Sequence, residues 1–176
     1  MAPPGKLTLA LMLVFALAGC HAKYQVSNLS GASTTRLDKQ KSVYVAVPQD
    51  GSYGATIYTG SGQTVAQSVA SAFSKVAPKV TVGDRTQSNE EALASARKAG
   101  AGYLVVPVIA HWEHRATAWS GIPSSMAIRV TILDTTSGDQ VSSTSVEGRS
   151  RIASVTSTSP ESLLRDPLVE YVRGKY

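Results

Sequence analysis

The chain of 176 residues contains one cysteine, Cys20. No internal disulfide can form, and the same count excludes a zinc site built on thiolates. Histidine is almost as scarce, with three copies, and one of them, His21, adjoins the cysteine. No apolar run approaches the roughly 20 residues that a membrane-spanning helix requires. Basic residues outnumber acidic ones, 17 against 12, yet they are scattered along the chain. Arg97-Lys98 is the one adjacent basic pair, so no patch of the kind that grips nucleic acid is formed and no nucleic-acid partner is expected. A net charge of +5 suits instead the neighbourhood of anionic lipid or acidic polysaccharide. The Gly-Lys-Ser/Thr of a P-loop, the third glycine of a dinucleotide fingerprint and a Gly-x-Ser-x-Gly nucleophile are all missing. Asp134 to Gln140 lacks the acidic spacing and the terminal Glu of a calcium loop.

What is present begins at the amino terminus. Lys6 precedes Leu7 to Leu17, a run that is apolar apart from Thr8. A basic start, a short apolar core and a small-residue end are the parts of a secretory signal peptide. The run closes on Leu17-Ala18-Gly19-Cys20, which resembles the lipobox of bacterial lipoproteins. That resemblance implies cleavage before Cys20 and acyl chains on its sulfur and amine. Each buried methylene contributes about 0.8 kcal/mol, so two or three chains anchor a protein stably where one does not. Position 21 is His, where an Asp would favour retention at the inner membrane. The expected location is therefore the inner leaflet of the outer membrane, with the domain in the periplasm. The expected organisation is a signal over 1–19, a lipid-anchored flexible tether over 20–41 and a single globular domain over 42–176.

The tether reading rests on the absence of any period in His21 to Lys41. As a coil it would reach roughly 25 Å. Beyond it, Ser42 to Val47 is continuous and β-branched and stops at Pro48, as a buried strand does. Gln63 to Val76 places Val65, Val69, Phe73 and Val76 at helical spacing. Lys79 to Val82 is a short strand. Ser88 and Glu91 form a capping box for a helix that ends at Gly100. Tyr103 to Ile109 is the most apolar stretch after the signal and reads as the central strand, continuing toward Thr117. Ser125 to Asp134 alternates strictly, Thr135 to Asp139 is turn chemistry, and Gln140 to Ile152 is a more polar strand. Ser159-Pro160 opens a last helix, which Pro167 should kink or split. The order β-α-β-α-β-β-β-α predicts an α+β fold, a mixed sheet of about five strands with helices packed on one face.

Two stretches carry chemistry worth weighing. Gly60-Ser61-Gly62-Gln63-Thr64 opens a helix and reads as a flexible connection with a cap, with an anion cradle as the alternative. His111-Trp112-Glu113-His114-Arg115 is the densest cluster of functional groups. If extended, it shows His111, Glu113 and Arg115 on one face, with Trp112 and His114 on the other. The two histidines then diverge and cannot hold one metal, so neither a metal nor another cofactor is expected. His-x-Glu alone is not a zinc deaminase signature without its Cys-x-x-Cys partner. The stretch reads as an exposed strand end with cross-strand charge pairs, or as a partner-binding edge. In the second case Trp112, Trp119 and Ile122 would add an aromatic patch beside His111, Glu113 and Arg115.

Val47-Pro48-Gln49-Asp50-Gly51-Ser52-Tyr53-Gly54, the Gly60-Ser61-Gly62 step, and Ser159-Pro160-Glu161-Ser162-Leu163-Leu164 with Tyr171-Val172 resemble a family of small Gram-negative envelope lipoproteins. That family is known only as domain of unknown function 4823. The order of elements is also similar to the fold type of the TolB amino-terminal domain, the curli secretion lipoprotein and the lipoprotein activators of peptidoglycan synthases. These resemblances imply a non-catalytic binding or assembly role beside the outer membrane, through an envelope protein partner or self-assembly. A periplasmic module for a small molecule or glycan is the alternative. An enzyme would require titratable groups converging around His111, Glu113 and His114.

Overall fold

The computed structural model describes residues 23–29, 35–114, 123–150 and 159–176. The signal segment and Cys20 lie outside the described residues. Twelve elements follow one another: β1 (Lys23–Asn28), β2 (Val43–Val47), β3 (Ser52–Tyr53), β4 (Thr56–Ile57), α1 (Ser61–Phe73), β5 (Val80–Thr86), α2 (Asn89–Lys98), β6 (Tyr103–Glu113), β7 (Ser125–Asp134), β8 (Gln140–Arg149), a 3-10 turn (Pro160–Leu163) and α3 (Arg165–Lys175). The main sheet has six strands in the order β1-β8-β7-β6-β2-β5, and β3 and β4 form a separate small hairpin. Pairing is parallel around β2 and antiparallel from β6 to β1. The expected α+β class with a mixed sheet is what the chain adopts.

Every residue of β2 is buried, because both faces of this inner parallel strand are covered. Val43, Val45 and Val47 point into the large core with Val65, Val69 and Phe73 of α1 and Leu164, Leu168 and Val172 from the carboxyl-terminal segment. Tyr44 and Ala46 point the other way, into a second cluster with Ala92 and Ala96 of α2 and Leu104. The expectation that all helices share one face is corrected here. α1 and α3 cover one side of the sheet, and α2 covers a corner of the opposite side. Ala92 and Ala96 let it lie close to β2 and β6, with Leu93 its one long apolar side chain against the cluster, so its sequence carries little sign of which face it takes.

The capping box is present, with Ser88 Oγ accepting from Glu91 N and the Glu91 carboxylate accepting from Ser88 N. At the far end Gly100 takes φ +68°. Its N–H donates to Arg97 O, and the Ala101 N–H to Ala96 O, closing the helix on a left-handed glycine. The last segment does split, but just before Pro167. The 3-10 turn ends at Leu163 and α3 begins at Arg165. This puts Pro167 in the first turn of α3, where its missing N–H would have had no partner inside the helix.

Two pieces of the stretch read as a tether are ordered. β1 pairs antiparallel with β8 from Lys23↔Arg149 to Asn28↔Thr144. Farther on, Leu37 is buried and its N–H donates to Lys175 O at 2.6 Å, while Asp38 N–H donates to the Tyr103 hydroxyl at 3.0 Å. β1 escaped the sequence reading because its alternation consists of Tyr24 and Val26 alone, among polar residues. Its order comes from the open edge of β8, which no local pattern announces.

Candidate functional site

The glycine-bearing loop between β2 and α1 and the far end of β6 are packed together. Asp50 is the keystone of the loop. Its carboxylate accepts from Gly60 N–H at 3.0 Å and Gly62 N–H at 2.8 Å. The free donors at the start of α1 are thus occupied by the protein's own anion, which removes the external anion cradle considered for Gly60-Ser61-Gly62. Ser61 Oγ accepts from Gly51 N–H at 2.8 Å, tying the loop down a second time. A β-carbon on Gly51 would lie 2.6 Å from Trp112 Cβ, so only glycine lets the loop pass this close to β6. From this platform the β3–β4 hairpin projects, with Tyr53 partly exposed and Ile57 68% exposed.

β6 carries a bulge. Ile109 pairs with Ile128, but the next pair is His111↔Ala127, so Ala110 is the extra residue. The bulge changes the alternation. Without it Trp112 would share a face with Leu104, Val106 and Val108. With it Trp112 turns into the large core beside Ile109 and is only 3% exposed. The expected aromatic surface patch is therefore corrected at Trp112, which packs the interior. Arg115, Trp119 and Ile122 lie outside the described residues.

His111 and Glu113 remain on one face, as expected, and a residue from β7 joins them. His111 Nε2 lies 3.0 Å from Ser125 Oγ and 3.5 Å from Glu113 Oε2, and Ser125 Oγ donates to Glu113 Oε2 at 3.1 Å. Ser125 sits directly across from Glu113 in the β6–β7 register. Tyr53 sets its ring edge-to-face against His111 at 5.5 Å. An open groove leads from His111, Ser125 and Ala127 across to Gln25, Glu147 and Arg149. His114 does not join the cluster. Its backbone N–H donates to the Tyr58 hydroxyl at 3.4 Å.

Ser125 Oγ thus bridges the two side chains, donating to Glu113 while it lies beside His111 Nε2, whose role as donor or acceptor is set by the ring's tautomer. Among the described residues no group of three or more His, Cys, Asp or Glu side chains could hold a metal ion. Sequence reading found His111 and Glu113 because they are adjacent in the chain. It missed Ser125, Tyr53 and Asp50, whose places depend on register and loop packing.

A family model for a domain of unknown function (DUF4823) matches residues 35–174. The chain belongs to this family. The matched segment spans the domain from β2 to the last turn of α3, including the Asp50 loop and the His111 cluster. No curated protein matches the DUF4823 chain significantly by sequence. Among solved structures, it is similar to the PelC dodecamer from Paraburkholderia phytofirmans, with a TM-score of 0.63 and 18% identity over 84% of this chain and 96% of that one. Weaker matches are protein XCC0632 of Xanthomonas campestris, at TM-score 0.49, 16% identity and coverage of 76% and 82%, and lipoprotein GNA1162 of Neisseria meningitidis, at TM-score 0.48, 14% identity and coverage of 76% and 96%. At these identities the likeness to PelC is one of fold. No helix among the described residues is long and apolar enough to cross a membrane.

Proposed function

We propose that this DUF4823 protein is a lipid-anchored, non-catalytic assembly component of the cell envelope. It is cut before Cys20, acylated there, and held on the inner leaflet of the outer membrane with the folded domain, β1 included, in the periplasm. Its work is to self-assemble or to dock an envelope protein, using the surface around His111 and Glu113 together with Arg115 and Trp119, which follow in sequence. The observation that carries the reading is the fold shared with PelC over 96% of that chain, since PelC is a dodecamer. The arrangement at His111 supports it by offering a hydrogen-bonded, partly exposed surface.

The decisive measurement is the mass of the full-length protein extracted from membranes in mild detergent at native levels. An assembly larger than one chain, or a stable complex, is the expected result; a lone monomer overturns the reading. Radiolabelled palmitate should enter the wild-type product and not the Cys20→Ser variant. A second reading, a module for a small molecule or glycan, draws on the polar groove between His111 and Arg149. It predicts that a ligand raises the melting temperature of wild type and not of Glu147→Ala.

A further inference from the structure

Among the described residues the sheet ends in two edge strands. Its order ends in β1 on one side and β5 on the other, and among the described residues no further strand pairs with either. The strands are six and seven residues long. Neither contains proline, and the charges and the bulge that can guard an edge lie at the ends, Lys23 in β1 and the irregular stretch with Asp84 and Arg85 in β5, which leaves residues 24–26 and 80–82 open to pairing. Tyr24 and Val26 of β1 are 46% and 37% exposed.

The two edges also match in backbone and side-chain phase. Leu29 N–H donates to Ser143 O, and in the antiparallel ladder with β8 this parity directs residues 25 and 27 inward. The N–H and C=O groups of Tyr24 and Val26 therefore point out of the sheet. On the other side Val43 N–H donates to Lys79 O, so in the parallel ladder with β2 Thr81 faces inward and the backbone groups of Val80 and Val82 point outward. The side chains agree. Val26 lies across from Val146 of the large core, and the Tyr24 hydroxyl reaches Glu170 of α3 at 2.8 Å. Val80 and Val82 pack against that same core. In both strands, then, the residues with free backbone groups carry their side chains on the α1/α3 face. Following the pairings across the sheet, β1 runs antiparallel to β5.

We propose that copies of this chain join edge to edge, β1 of one pairing antiparallel with β5 of the next, with Tyr24 opposite Val82 and Val26 opposite Val80. The proposal rests on the self-assembly reading above and names its surface. Both apolar pairs fall on the helix-covered face, and the free N–H and C=O groups of the two strands bond each other. The two patches are unlike, so the contact is head-to-tail and generates a ring or a filament, not a closed two-fold dimer. Gln25 faces Thr81 at a position without backbone bonds, where Cα atoms approach to about 4.5 Å and a disulfide can form.

That geometry supplies the test. Two full-length chains with different tags, one Gln25→Cys and one Thr81→Cys, are expressed together, extracted in mild detergent and mildly oxidised. A disulfide product carrying both tags is expected. Within one chain the two positions lie about 24 Å apart at the spacing of neighbouring strands, so only contact between copies can give it. A product between two Gln25→Cys chains alone would mean two-fold pairing of β1 with itself and would overturn the proposal. An assembly that forms without the mixed product would overturn it too, while leaving self-assembly standing. A monomer would overturn both. Val82→Pro removes an outward N–H, which an edge strand tolerates. It should reduce the assembly to monomers while circular dichroism still shows the folded α+β protein, with some loss in melting temperature because Val82 also packs on the core; a folded Val82→Pro protein of wild-type assembly size would refute the edge contact.

Discussion

The two faces of the sheet are built on different terms. On the α1/α3 side, valines, isoleucines and leucines from seven elements meet in one cluster that includes Phe73, Ile128, Leu164 and Leu168. On the other side α2 covers a smaller cluster around Tyr44, Ala46 and Leu104, with Val106 and Leu133 at its margin, through Ala92, Ala96 and Leu93. The rest of that face is partly open, with Val108 49% exposed beside the cluster of His111, Glu113 and Ser125. Stability is thus concentrated on one side, and the polar groups available for contact lie on the other. A protein that must present a surface can keep polar side chains there because burial on the opposite face already supplies the fold.

The sharpest way to break this contrast is to truncate one aliphatic side chain to alanine on each side. Leu168 is fully buried against α1, and Leu168→Ala should lower the unfolding free energy by about 2–5 kcal/mol. Val108→Ala, on the open face, should shift it by no more than about 0.5 kcal/mol. Chemical unfolding curves of the two variants check both values, and similar losses from the two would show that the open face is buried in solution.

The same contrast explains how far the fold could be read in advance. Long periodic runs facing the large core, such as Val65, Val69 and Phe73 or Met126, Ile128, Val130 and Ile132, announce both element and face. The capping box at Ser88 is equally legible because its two bonds are local. Three features were not. Two apolar residues in β1 are too few to set a period, and the alanines of α2 have no strong side to show. The bulge at Ala110 turns Trp112 inward by inserting one residue, which no composition signals. In the candidate site His111 and Glu113 were visible as neighbours in sequence, whereas Ser125 reaches them only through the β6–β7 register.

The loop that joins the faces gives the next effect in size. Gly51→Ala places a methyl group 2.6 Å from Trp112 Cβ and 2.9 Å from Ile109 Cγ2. Neither neighbour can yield easily, since one belongs to the core and the other borders the bulge. Overpacking of this kind costs about 1–3 kcal/mol. The loss should appear in thermal unfolding together with a change in tryptophan fluorescence. A variant as stable as wild type would mean that the loop stands off β6.

Tyr176 offers a change of the opposite sign. Its hydroxyl is buried without a hydrogen-bond partner among the described residues, and burial pushes the phenol up to about 12. Tyr176→Phe removes the orphaned group while keeping the ring that meets Phe73 edge-to-face. An unsatisfied buried hydroxyl costs about 1 kcal/mol or more, so the variant should equal or exceed wild type in stability. A clear loss would reveal a partner for the hydroxyl.

The smallest effect belongs to the shortest ion pair among the described residues, Lys41 Nζ to Asp134 Oδ2 at 2.7 Å. The Lys41 ammonium, and then the Thr136 N–H, hold the Asp134 carboxyl below its usual range. The Asp134 contact in turn raises Lys41. A depressed carboxylate contributes stability that is complete above its unfolded value and drains away as pH falls through the folded one. The raised lysine contributes below its unfolded value and loses that as pH rises through its folded one. The pair therefore acts across the middle of the pH range and fails at both ends. Because Lys41 is more than a third exposed, solvent screens the contact and its worth stays under about 1 kcal/mol. Asp134→Asn keeps Oδ1 as an acceptor for Thr136 N–H and removes only the charge. The gap between wild type and variant should be small at neutral pH, shrink with added salt and vanish in strong acid, as followed by urea unfolding. A gap that persists in strong acid would assign the stabilisation to the neutral hydrogen bonds of the β7–β8 turn and leave the ion pair without weight.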